Sequence, residues 1–195
     1  MLGLKPVRNA NGSPFMGDLT HYRINSENTA AIFHGDPVVL TSGYVLRTTG
    51  NTAVIGVFQG CEYADAAAPG GYRFSPNWPG VSLGAGVEVR ALIADAPDLI
   101  SEITFRGTTT ALTYAQLVST FGKRVNLTLG SGSGAFSTAE MGAASTTGAF
   151  FVLPISVAPY PGEGVGGRKD PADNKFLYTV QVKAMLHQLA GSVAD

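Results

Sequence analysis

The sequence predicts a mainly all-β protein: a compact β-barrel or sandwich with long loops, one short helix and an irregular N-terminal arm. Three observations carry this. The apolar runs are short, β-branched and aromatic, too brief for helices. Glycine (25) and proline (11) are spread along the 195 residues and not gathered in one linker, which suits many strands joined by turns. The last run, 176–183, alternates strictly, with Tyr178, Val180 and Val182 on one face and Leu177, Thr179, Gln181 and Lys183 on the other.

Along the chain, residues 1–28 contain Pro6, Asn9, Asn11, Gly12, Pro14 and Gly17, which break any regular period. They read as an arm in which Phe15, Met16 and Tyr22 are apolar anchors, either self-packed or docked on a neighbouring subunit. Residues 29–195 read as a single β-rich domain. Its first strands are Ala31–His34, Val38–Leu40, Tyr44–Arg47 and Ala53–Phe58, separated by Gly35-Asp36-Pro37, Ser42-Gly43 and Thr48-Thr49-Gly50-Asn51. Residues 64–86 read as one long loop carrying Tyr72, Phe74 and Trp78. Loops of that length usually serve a function. Two readings of the aromatics stay open: a small core closing one end of a barrel, or exposed anchors at an interface.

Further strands are expected at 87–93, 99–106 and 125–129. Thr113-x-x-Gln116 has capping-box spacing and predicts a short helix over 114–121, ended by Gly122. Residues 130–148, rich in Gly, Ser, Thr and Ala, read as a flexible loop. A strand over 150–157 must place Pro154 at an edge, a bulge or an end. Residues 159–171 read as a second Gly/Pro loop.

Composition narrows the function classes. Charged residues make up only 14% of the chain, against roughly a quarter in ordinary soluble domains. Either partners cover much of the surface, or hydroxyl-rich strands do the work of charges. The net charge of -1 leaves no basic stripe for phosphates, so no nucleic-acid partner is expected. No apolar run approaches the length of a membrane span, and the start lacks the apolar core of a secretory signal, so no membrane partner or export is expected. Cys61 is the only cysteine, which excludes an intrachain disulfide and a cysteine metal site. The sequons at Asn11 and Asn126 then read as chance.

The residues of chemistry are scattered. His21, His34 and His187 lack metal-ligand spacing. The glycines of 130–134 and 162–167 lack the Lys and Ser/Thr of a phosphate loop. Ser82 sits in Gly80-Val81-Ser82-Leu83-Gly84, but a nucleophile elbow needs a strand before it and a helix after it. Asp65, Asp95, Asp98 and Asp170 fall at turns, where Asp commonly bonds backbone N–H groups. The reading is a non-enzyme with no catalytic residue, no cofactor and no metal.

One linked set of motifs goes further. Gly56-Val57-Phe58-Gln59-Gly60-Cys61-Glu62-Tyr63-x-Asp65 is followed by Phe74-Ser75-Pro76-Asn77-Trp78-Pro79. Then come Val87-x-Val89-x-Ala91-x-Ile93, Asp98 and the run 100–105. Over residues 35–106 this resembles virion structural proteins of marine tailed bacteriophages, the cyanophage type. The second half matches in general layout only. Ser101-Glu102-Ile103 departs from the F-E-V-like strand of that set, and Asp95-Ala96-Pro97-Asp98 from its plain Asp-Pro turn. The resemblance implies a head decoration or cement protein that stabilises the shell. Its partners would be the major capsid protein and itself, often as a homotrimer. It implies synthesis in the host bacterial cytoplasm and residence on the head surface. The expected partner-interface residues are Phe15, Tyr22, Tyr72, Phe74 and Trp78. The rival readings are a virion-associated carbohydrate- or host-binding module with sugars stacked on Trp78 and Tyr72, a head-tail or tail component, and a small serine hydrolase using Ser82.

Overall fold

A computed structural model of the chain describes residues 3–106, 118–154, 168–169 and 176–188. It is nearly all β. The strands are β1 (Lys5–Asn9), β2 (Thr20–Arg23), β3 (Pro37–Thr41), β4 (Tyr44–Arg47), β5 (Gly56–Ala64), β6 (Tyr72–Ser75) and β7 (Val89–Ala94). They continue with β8 (Leu99–Arg106), β9 (Arg124–Thr128), β10 (Glu140–Ala144), β11 (Phe150–Val152), β12 (Arg168–Lys169) and β13 (Phe176–Ala184).

These strands form two sheets, and each closes on itself like a small barrel. In the first, β8, β10, β9, β11 and β13 follow one another, and β13 returns to β8 over seven register pairs from Leu177↔Arg106 to Lys183↔Ile100. In the second, β3, β4, β2, β7 and β5 form the ring, closed where Pro37 and Val38 of β3 meet Val57 and Gly56 of β5. Strands β1, β6 and β12 are added outside the rings.

Each ring has its own core. The first gathers Leu99, Ile103, Val125, Leu127, Phe150, Tyr178, Val180 and Val182. The second gathers Ile24, Ile32, Val38, Val45, Ile55, Phe58, Cys61, Trp78, Ala91 and Ile93. Successive side chains on a strand point to opposite faces, and two strands of the second ring use this to serve both cores. Phe58 and Ile93 face their own ring, while their neighbours Val57 and Ala94 join the first cluster.

Local chemistry explains the hairpins. Ser42 (φ 51°) and Gly43 (φ 82°) connect β3 to β4 as a two-residue turn closed by Thr41↔Tyr44. Two positive φ values in sequence give the turn whose twist matches paired strands. In β5, Phe58 and Cys61 both face the core although they are three residues apart. Regular alternation forbids that; a register shift between Phe58 and Gly60 resets the phase. Gly60 sits there with φ 152°, where a side chain would run into the Ser75 carbonyl oxygen.

Four expectations change. Residues 3–28 are not an irregular arm: β1 pairs with β8 in the first sheet, and β2 lies between β4 and β7 in the second. Residues 64–86 are not one loop, since β6 folds back on β5. Residues 130–148 contain β10, paired with β9 and β8. Around Ile32 and His34 the chain makes only isolated bridges, to Trp78 and Phe136. The first three segments carry little local signal and are ordered by distant partners, whereas the apolar run at Ile32 and His34 is held by single bridges to distant residues in place of a ladder. The helix expected over 114–121 and the loop over 159–171 lie mostly outside the described residues.

His187 lies where the rings meet, beside Val54, Val57, Ala94 and Leu99, and is 7% exposed. Burial pushes its pKa below the ordinary value, although nearby Asp95 and backbone hydrogen bonds with Ile55 and Asp95 pull the other way. A folded-state pKa below the unfolded one means that the unfolded chain binds the extra proton. This contribution to stability is therefore complete above the unfolded pKa of about 6.5 and is lost as pH falls below it. Melting temperature is expected to drop between pH 7.5 and 5. In His187→Gln that part of the slope should vanish; an unchanged slope would refute the assignment.

Candidate functional site

The motif-bearing hairpin of β5 and β6 joins buried structure to an exposed edge. Cross-strand pairs run Cys61↔Ser75, Glu62↔Phe74, Tyr63↔Arg73 and Ala64↔Tyr72. Its tip is held by Asp65, whose carboxylate accepts from the Ala67 N–H at 2.9 Å and pairs with Arg73 Nε at 2.6 Å. At the end of β6, the Ser75 hydroxyl donates to Asn77 Oδ1 at 3.2 Å and turns the chain inward.

That turn buries Trp78 completely, at 0% exposure. Its backbone exchanges both hydrogen bonds with Ile32, at 2.8 and 3.0 Å. The indole N–H donates to the Asn28 carbonyl at 2.9 Å, and Tyr63 packs edge-on with ring centres 5.4 Å apart. Cys61 Sγ lies 3.4 Å from the Asn77 carbonyl as a weak donor. Burial pushes the thiol pKa up to about 12, so it stays protonated and inert at neutral pH. The Gly-Cys-x-Tyr run thus seats a tryptophan.

The expected interface residues separate. Trp78 is core and offers no face to a partner or a sugar ring. Its size and its satisfied N–H make burial the stable arrangement. Phe15 is half-buried against the first core. Tyr22 is half-buried against the second, and its hydroxyl donates to Asp95 Oδ2 at 2.7 Å. Burial, then that hydrogen bond and the Asp95 charge, push the Tyr22 pKa up to about 12. Neither is a free anchor, because both sit where the chain packs on its own rings. Only Tyr72 (58% exposed) and Phe74 (65%) present open rings. Two residues apart on β6, they share one face.

Sequence reasoning missed two features. Tyr44 and Phe136 are exposed, and Phe136 meets His34 edge-on at 5.6 Å. Asp36, which reads as a turn residue, is 0% exposed. It accepts from the Ser137 hydroxyl and from the Phe33 N–H at 2.9 Å, and pairs with Arg47 Nε at 2.6 Å. Arg47 also donates to the Gly130 carbonyl at 2.7 Å and stacks over Phe33 at 5.3 Å. This network ties the second ring to the segment between β9 and β10. The Gly35-Asp36-Pro37 turn is its only local signal.

Among the described residues no three His, Cys, Asp or Glu side chains are grouped to hold a metal ion. Ser82 lies exposed in irregular chain and is followed by strand β7, so the helix that a nucleophile elbow requires is not there. No helix among the described residues is long and apolar enough to cross a membrane. No family model, curated protein or solved structure matches this chain.

Proposed function

We propose that this protein is a capsid decoration or cement protein of a tailed bacteriophage, which binds the major capsid protein on the head surface and stabilises the shell without catalysis. The motif resemblance over residues 35–106 supplies the identity of the partner. The observation that supports a docking role is the pair Tyr72 and Phe74: two large exposed rings on one short strand, paired to β5 over four register positions. Aromatic residues are enriched in protein interfaces, and a ring fixed on a strand loses little entropy on binding. Low charge suits the same purpose. A cement protein acts by mass action: whatever binds the assembled shell and not its parts stabilises the shell. Several modest contacts to neighbouring coat subunits multiply through effective concentration.

The test is co-sedimentation of the purified chain with heads that lack it. Tyr72→Ser/Phe74→Ser is expected to weaken binding at least tenfold while leaving the melting temperature nearly unchanged, because both side chains are exposed. Equal binding by the variant would remove the hairpin from the contact. Deleting residues 1–25 is no test of docking, since it takes a strand from each sheet. Stacking of sugars on Trp78 has no support, as that ring is buried.

A further inference from the structure

Closing a sheet into a ring removes its edges, and an uncovered edge is a template for another strand. Of the three strands outside the rings, β1 has its outer side taken by its own chain: Asn9 N–H donates to the Ser13 carbonyl at 2.8 Å, and Phe15 N–H to the Val7 carbonyl at 2.9 Å. β12 is flanked in sequence by residues outside those described. β6 differs from both. Among the described residues its only strand neighbour is β5, and the backbone groups of 72–75 bond nothing outside that pairing.

We propose that β6 joins two copies of this chain, edge to edge and antiparallel about a two-fold axis at Arg73. The side-chain pattern selects this occupant and this register. A two-fold axis perpendicular to the sheet sets each residue opposite one that faces the same way. Centred on Arg73, it places Tyr72 opposite Phe74 of the partner subunit, and Phe74 opposite the partner subunit's Tyr72. Cross-strand aromatic pairs of this kind stabilise antiparallel strands. Two arginines then meet at the axis, but each copy brings Asp65 within 2.6 Å of its own Arg73, so the charges alternate. The usual guards of an edge are charge, proline or a bulge. β6 carries one charge, already neutralised, and no proline.

The pairing uses backbone groups and leaves the outer face open. Four rings from two copies then form one apolar patch, larger than either chain presents alone. A contact about a two-fold axis pairs two copies and closes, so it makes a dimer. This self-association is independent of the coat-binding reading and is measured without heads.

Sedimentation velocity on the full chain is expected to show a concentration-dependent dimer in the micromolar range. Tyr72→Lys/Phe74→Lys should weaken it at least tenfold with an unchanged circular dichroism spectrum. Arg73→Cys places a thiol on the axis, where paired Cα atoms lie about 4.5–5.5 Å apart, within reach of a disulfide. It should give a covalent dimer under mild oxidation, and Cys61 is buried and will not compete. A wild-type chain monomeric at 100 μM (roughly a Kd far above the micromolar range), a dimer indifferent to the two lysines, or an Arg73→Cys chain that does not cross-link would each overturn the proposal.

Discussion

Replacing Trp78 by alanine is expected to lower the unfolding free energy by about 3–5 kcal/mol, the range for deleting a large buried aromatic. Three separate losses combine at this position. The largest side chain of the second core disappears from a site with no exposure, among neighbours that cannot all close over the gap. The Asn28 carbonyl loses the indole N–H that donates to it at 2.9 Å. Tyr63 loses its edge-on partner at 5.4 Å. In a chain of this size each kcal/mol moves the melting temperature by roughly 2–4 °C. Trp78→Phe should recover part of the loss, because it keeps a ring and gives up the hydrogen bond. Urea titration of both variants measures this. A loss under about 1 kcal/mol for alanine would mean that the ring does not occupy the core.

Asp36→Asn is expected to cost a comparable amount, about 3–5 kcal/mol, for a different reason. The substitution barely changes shape. It removes the negative charge that faces Arg47 at 2.6 Å, and it leaves that guanidinium half-enclosed beside Phe33 and the Gly130 carbonyl. It also converts one acceptor oxygen of a carboxylate that takes hydrogen bonds from Ser137 and from the Phe33 backbone into a donor group. A charge stranded in a low-dielectric setting is the main penalty. The double variant Asp36→Asn/Arg47→Met should therefore lose clearly less than the sum of the two single changes, since neither partner is then left unpaired. Additive losses would show that the two side chains do not act as a pair.

Legibility of the fold followed the range of the forces involved. The β3–β4 hairpin was readable because its apolar runs and its Ser42-Gly43 turn lie within a dozen residues. β13 was readable because strict alternation marks one buried face. β10 was not: Gly142, Ala143 and Ala144 carry almost no strand preference, and β9 supplies the pairing. β1 was hidden by Pro6, which the sheet accommodates beside a register shift on an added strand. β6 was hidden between Gly71 and Pro76, too short to show a period.

The site divided in the same way. Phe74 and Trp78 stand four residues apart in one run, Phe-Ser-Pro-Asn-Trp-Pro, and nothing local separates an exposed ring from a buried one. The sequence by itself determined that the chain is built of short strands, because side-chain alternation and turn residues act over neighbouring positions. It also determined that charged residues are scarce, at 14% of the chain. Only the tertiary structure decided that the strands close into two rings, that Trp78 enters a core while Tyr72 and Phe74 stay outside, and that Asp36 is sealed against Arg47. Burial depends on which distant segments arrive at a position, and here Asn28, Ile32 and Ser137 come from far along the chain to settle it.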